Sequence, residues 1–334
     1  MDRAAHPRWH WAPAAVGAAL SILLGCWPVS PASCQETSSG PQPSPPATEQ
    51  KLSAGKPIRL ETDLTLVGVS VTDPMGRLVT GLEQSDFRVF EDGEEQEIVR
   101  FISEDVPVSI GVIFDMSGSM SDKIEKSRKA AVQFFRTANP QDEFFLVDFN
   151  DRAQLDSAFT TRVDQLQDRL LYTAARGLTA LYDGVYLGLS QMHTGHNTKK
   201  ALLIISDGGD NHSRYTETEI RKFVREADVQ IYAIGLFEPD GGPTPEERGG
   251  PALLHDLTQM TGGRLFVVRN LSDLPDIATK ISMDLRNQYV LGYRPSNHAH
   301  DGKWRKIKVK LHPPKGLPPL TVYARSGYYA LGHL

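Results

Sequence analysis

The run Ser109-Ile110-Gly111-Val112-Ile113-Phe114 contains almost nothing polar over six residues. A strand that faces water on one side alternates polar with apolar. A strand without a polar face has to be covered on both sides, as in a parallel sheet between layers of helix. Comparable runs recur at 200–206 and 229–236. Between and after them the apolar spacing changes to that of helices, at 121–138, 163–174, 180–193, 216–227, 251–261 and 272–287. In the first of these, Ile124, Ala131, Phe134 and Phe135 fall on one side, and Asn139-Pro140 ends the pattern. Further strands are predicted at 143–149, 153–159 (antiparallel to the strand before it) and 264–268. This alternation predicts an α/β domain over residues 107–288, an open and mainly parallel sheet with helices on both faces.

The flanking segments have period two instead. Leu64, Leu66, Val69 and Val71 alternate with polar residues, and turns at Asp73-Pro74-Met75-Gly76 and Glu91-Asp92-Gly93 separate short strands. Residues 57–105 therefore read as a small β module. Residues 289–334 read as a C-terminal β extension with strands at 289–293, 304–311 and 320–324. In the middle one Lys306, Lys308 and Lys310 alternate with Ile307, Val309 and Leu311. That row reads as the solvent face of an edge strand, where lysines deter edge-to-edge pairing. Binding of an anionic polymer or lipid headgroup is the other reading.

The first 34 residues have the order of a secretory signal peptide. Arg3 and Arg8 precede the apolar run 14–24, which is short for a membrane span, and small residues follow. Leu23-Leu24-Gly25-Cys26 has the form of a lipobox, making Cys26 a candidate lipidation site. A plain hydrophobic-region cysteine is the alternative, and Pro31-Ala32-Ser33-Cys34 is a weaker second box. Residues 35–56 are rich in Pro, Ser, Thr and Gln and read as a disordered linker. The expected location is the periplasm, the cell envelope or the exterior, with a lipid anchor at Cys26 as one route to the membrane. The body after Cys34 has no cysteine, which excludes a disulfide framework and a thiolate metal site there. Lys and Arg number 36 against 41 Asp and Glu, a net charge of −5, so no basic footprint points to nucleic acid.

Chemistry concentrates in Asp115-Met116-Ser117-Gly118-Ser119, directly after the first buried strand. Binding sites in open α/β sheets lie beyond the carboxyl ends of the strands. Asp207-Gly208-Gly209-Asp210, after the 200–206 strand, and Thr179, ahead of the 180–193 helix, should reach the same edge. Hydroxyls and carboxylates are hard oxygen ligands, suited to Mg2+ or Mn2+ rather than to zinc.

The ordered set Asp115, Ser117, Ser119, Thr179 and Asp207 resembles the metal-ion-dependent adhesion site of von Willebrand factor A domains, over roughly residues 107–288. The resemblance implies one divalent cation held by the two serines and by the threonine or one of the acids, with the other acids acting partly through water. It also implies a protein partner whose acidic side chain completes the coordination, coupled in the family to movement of the last helix, here 272–287. Asp183 and Asp210 are expected as supporting residues outside the ligand set, or as a helix cap and a solvated acid. Residues 66–71 and 87–93, with 289–293 and 325–329, are similar to the flanks of bacterial exported "VWFA-related" proteins.

Other readings stand beside these. Ser117 and Ser119 could cap the following helix. Asn150 and Asp151 lie near the same edge or form a plain turn. The loop at 237–251 is either a contributor to partner selection or a flexible connector. The expected function is an exported, metal-dependent protein-interaction module. A metal-independent envelope scaffold is the alternative, and no enzyme motif is present: no Gly-x-Ser-x-Gly elbow, no His-Glu-x-x-His and no phosphate-binding Walker loop.

Overall fold

In a computed structural model of the chain, residues 64–171, 174–237, 245–330 and 332 are described, 245–247 by their backbone alone. The leader at 1–34 with Cys26, the linker at 35–56 and the start of the β module at 57–63 lie outside the described residues. So does the centre of the 237–251 loop.

The central sheet grows from the buried runs. Its strands are β5 (Val108–Asp115), β6 (Glu143–Phe149), β7 (Ala153–Thr160), β8 (Lys199–Ser206), β9 (Gln230–Gly235) and β10 (Leu265–Val267), preceded in the chain by β1 (Thr65–Thr72), β2 (Phe87–Glu91), β3 (Glu94–Gln96) and β4 (Ile98–Ile102). The spatial order is β10-β9-β8-β5-β6-β7. All neighbours are parallel except β6 and β7. Both faces are covered. On one, α1 (Ile124–Thr137), α2 (Val163–Leu171) and α6 (Leu274–Arg286) set Phe134, Leu166 and Ile281 against Val112, Phe114 and Leu203. On the other, α3 (Leu181–Gln191), α4 (Glu217–Glu226) and α5 (Pro245–Thr261) set Val185, Val224 and Leu254 against Ile113, Val147 and Ile204. Each such side chain contributes ~1.5–3 kcal/mol on leaving water. The near-absence of polar residues in β5 has its cause here: every one of its eight residues is buried, Ser109 and Asp115 included.

The two β flanks form one unit. The strands after the central domain are β11 (Tyr289–Tyr293), β12 (Trp304–Leu311), β13 (Thr321–Ala324) and β14 (Gly327–Tyr329). They interleave with the earlier strands in two four-stranded sheets, ordered β13-β1-β11-β4 and β14-β12-β2-β3. Val67, Val69, Phe87, Val89, Tyr289, Leu291 and Ile307 make a single apolar core. Within it the Phe87 and Tyr289 rings lie 5.1 Å apart at 52°. The buried carboxylate of Glu91 ties early to late segments, its Oε2 accepting from the hydroxyls of Tyr293 at 2.7 Å and Tyr328 at 2.9 Å. The lysine-bearing strand is not an edge, because β12 pairs with β14 on one side and β2 on the other. Lys306, Lys308 and Lys310 are nonetheless exposed, and the Lys310 ammonium sits 4.4 Å from the Phe90 ring centre.

Candidate metal centre at the carboxyl edge of the sheet

Three loops meet where β5 and β8 end. The first follows β5: Asp115 is wholly buried, and its Oδ1 accepts from the Ser117 backbone N–H at 2.9 Å. That short-range bond curls the chain so that a 3-10 turn, Gly118–Met120, begins at once. The Ser117 and Ser119 hydroxyl oxygens end 3.1 Å apart, the first buried and the second exposed. Neither serine side chain caps the turn or the following helix.

The second loop carries Thr179. It is laced to the first by Gly118 N–H donating to the Gly177 carbonyl at 3.0 Å and by Arg176 N–H donating to the Met116 carbonyl at 2.8 Å. Asn211 clamps Thr179 from the third loop. Its side-chain Oδ1 accepts from Thr179 N–H at 2.9 Å, and its own N–H donates to the Thr179 carbonyl at 3.0 Å. Asp151 holds this loop from the β6–β7 turn, accepting from Leu178 N–H at 2.8 Å.

The third loop starts at Asp207. Ser206, the last residue of β8, donates its hydroxyl to Asp115 Oδ2 at 2.6 Å and accepts from Gly208 N–H at 2.9 Å. Asp207 is 6 % exposed, and its Oδ1 has no hydrogen-bond partner. Lys123, from the turn before α1, brings its buried ammonium 3.6 Å from Asp207 Oδ2. Gly208 takes the left-handed φ of +84°, and a Cβ on Gly250 would stand 2.5 Å from its carbonyl group. The first turns of α5 therefore press on the loop behind Asp207, and the 237–251 segment does border this edge.

Burial, and then the neighbouring Asp207 charge, push the Asp115 carboxyl well above the usual carboxylate range. Two acids, one buried lysine and a pair of adjacent hydroxyls thus share a site largely closed to water. Asp183 and Asp210 are engaged elsewhere. Asp183 Oδ1 accepts from Arg214 N–H at 2.9 Å and its Oδ2 from Arg214 Nε at 3.0 Å. Asp210 Oδ2 accepts from Tyr182 N–H at 2.9 Å and from the Ser213 hydroxyl at 2.6 Å. Both brace the 207–215 loop against the start of α3. Among the described residues no three His, Cys, Asp or Glu side chains converge to hold a metal. A cation at this edge would depend on the hydroxyls. The unpartnered Oδ1 of Asp207, whose charge acts on the buried Asp115 carboxylate, and the two hydroxyl oxygens of the adjoining loop are donors of the type such an ion takes.

The sequence reading singled out Asp115, Ser117, Ser119, Thr179 and Asp207 for this edge, and their three loops are hydrogen-bonded into one cluster. It did not identify Ser206, Asn211 or Lys123 as parts of it. Ser206 was legible as the residue next to Asp207. Lys123 carried only its position four residues after Ser119.

Residues 110–209 match the family described as von Willebrand factor type A domain. Similar solved structures include an aerotolerance-related membrane protein from Bacteroides fragilis, 17 % identical with a TM-score of 0.45, covering 53 % of this chain and 98 % of that one. Another is a von Willebrand factor type A protein from Catenulispora acidiphila, 11 % identical with a TM-score of 0.47, covering 79 % and 74 %. The vWF domain of the type V pili tip protein Mfa5 from Porphyromonas gingivalis is 13 % identical with a TM-score of 0.43, covering 54 % and 97 %. No curated protein matches the chain. The α/β sheet and the order of its loops agree with that family match, which covers residues 110–209.

Proposed function

We propose that the protein is an exported protein-interaction module that binds its partner through one Mg2+ or Mn2+ ion at the edge built by Asp115, Ser117, Ser119, Thr179 and Asp207. Domains of this type are commonly protein-interaction modules. The observation that carries the metal reading is the unpartnered, buried Asp207 Oδ1 at an edge that also holds Asp115 and the Ser117–Ser119 hydroxyl pair. Ser117, Ser119 and Thr179 would hold the ion, with Asp115 and Asp207 balancing its charge. A bound divalent cation supplies an acceptor for an acidic side chain of the partner protein.

The chain's own residues prepare that contact. Ser206 and the Ser117 N–H orient both oxygens of Asp115, so this carboxylate cannot swing toward solvent. Ser119 is the exposed member of the hydroxyl pair and the side on which a partner would arrive. We infer binding rather than catalysis, since hydrolysis at a metal requires a positioned base beside the reacting bond. Export is inferred from the leader, and no described helix is long and apolar enough to cross a membrane.

One observation favours a second reading, a scaffold that works without metal. The Lys123 ammonium already neutralises part of the acidic pair. A thermal-shift titration of the full chain with Mg2+, Mn2+ and Ca2+ separates the two. A ligand that binds only the folded state raises the midpoint with concentration. A rise in wild type that is absent in Asp115→Ala and reduced in Ser119→Ala supports the metal site. Equal midpoints at all concentrations, in wild type and variants, would leave the scaffold.

A further inference from the structure

At the opposite end of the central sheet a cavity of about 570 Å3 opens between Val106-Pro107 ahead of β5, the first residues of β8 and β9, and the outer face of the β1–β11–β4 sheet. That volume is in the range of small-molecule sites, ~300–1,000 Å3. Its lining is strongly one-signed. Arg100, Lys199, Lys200, Arg225 and Arg325 face a single carboxylate, Asp228, among the described lining residues, in a chain whose net charge is −5.

The cations are not equivalent. Lys199 and Lys200 donate to the carbonyls of Leu285 and Met192, so they hold the structure and contribute field. Arg325 pairs with Asp228 at 2.6 Å through Nη1, while its buried Nε has no partner. Arg100 and Arg225 are exposed and make no ion pair among the described residues. A fold that needed these guanidinium groups only for internal pairing would not gather them round one cavity with one acid. Like charges brought together in a partly enclosed space raise the local potential for an anion. A planar guanidinium with free N–H groups also matches carboxylate and phosphate geometry. Apolar wall is supplied by Val224 and Met260, and the buried side chain of Gln288 closes part of the floor.

We propose that this cavity binds a small oxyanion-bearing molecule, a dicarboxylate or a phosphorylated compound of sugar-phosphate size, with Arg100, Arg225 and Arg325 as its recognising groups. The site is independent of the metal centre. Seven residue steps along β5 at ~3.3 Å separate the two ends of the strand by roughly 23 Å.

The test is a thermal-shift titration of the full chain with succinate, inorganic phosphate and glucose 6-phosphate at constant ionic strength. Glucose serves as the uncharged control. At least one anion is expected to raise the midpoint saturably, by several degrees, where glucose does not. Arg100→Glu/Arg225→Glu reverses two exposed charges that the fold does not use, and should weaken that anion at least tenfold. Asp115→Ala should leave the response unchanged, which separates this site from the metal centre. No response to any of the three anions, or an undiminished response in the double variant, overturns the proposal. Loss of the response in Asp115→Ala alone would also overturn it, by placing the anion at the other edge.

Discussion

The ammonium of Lys123 lies 3.6 Å from Oδ2 of Asp207, with both side chains less than a tenth exposed. The same ammonium reaches the Ser119 carbonyl at 3.3 Å. A positive charge from the start of α1 is thereby set between the loop after β5 and the loop after β8. Asp115 and Asp207 repel each other across that gap, and Lys123 offsets the repulsion from within the chain.

Removing that lysine should therefore expose the repulsion. Breaking a buried ion pair from one side costs roughly 3–5 kcal/mol, and less where water can enter. Lys123→Met is expected to lower the unfolding midpoint in chelator by several degrees and to enlarge the rise produced by Mg2+. A midpoint equal to wild type in chelator would show that Lys123 does not stabilise the acidic pair.

The approach of α5 to the metal edge gives a steric prediction. Alanine at 250 would press its Cβ into the carbonyl of Gly208, whereas alanine at 249 meets open space. Gly250→Ala should cost ~1–3 kcal/mol as an overpacked contact. It should also weaken the divalent-cation response, because the displaced loop begins at Asp207. Gly249→Ala is the control, expected at wild-type stability or slightly above. Chemical denaturation of the two variants side by side decides the matter, and equal losses would contradict the contact.

Asp148 predicts a pH dependence. It is a buried residue of β6, and burial, followed by the charge of Asp156, raises its carboxyl to a pKa of about 6 from 3.8. The folded state therefore holds a proton that the unfolded state has already lost between about pH 4 and pH 6. Stability from this group falls as pH rises through that window and stays lower above it. Asp148→Asn should be more stable than wild type at pH 7.5 by about 2 kcal/mol, at ~1.4 kcal/mol per pKa unit with allowance for relaxation. The gap should close toward pH 4. Urea melts at the two pH values measure it, and a gap of constant size would rule out Asp148 as the source.

The interleaved flanks imply that neither is stable alone. β1 pairs with β11 and β13, and β2 pairs with β12, so ending the chain at residue 288 strips partners from both early sheets. It also uncovers Val67, Val69, Phe87 and Val89. In the 1–288 chain residues 65–102 should be cleaved readily by a protease to which the full chain resists. Persistent protection of that segment after truncation would mean that the early strands fold without the late ones.

Much of this organisation is local and was readable in the chain. The nearly unbroken apolarity of Val108–Phe114, where Ser109 alone is polar, and of Ala201–Ile205 reports burial on two faces, and burial on two faces demands a covered parallel sheet. Asp115-x-Ser117-x-Ser119 was readable for a similar reason, since the Asp115 carboxylate and the Ser117 N–H that shape the loop are two residues apart.

What the sequence could not determine depends on groups brought together from far along the chain. Lys123 meets Asp207 across 84 positions, Ser206 meets Asp115 across 91, and Glu91 meets Tyr293 across 202. Period-two alternation marked the flanking strands but was silent on partners, because a strand's pattern records which face is buried and not which strand lies beside it. The lysine row shows the difference: Lys306, Lys308 and Lys310 point to solvent as their alternation requires, yet β12 lies inside its sheet. The cationic cavity is of the same kind, since Arg100, Arg225 and Arg325 become neighbours only when the β flanks close against the foot of the central sheet. Side-chain periodicity is a property of consecutive residues; pairing, charge compensation and cavities are properties of packing, and only the tertiary structure holds them.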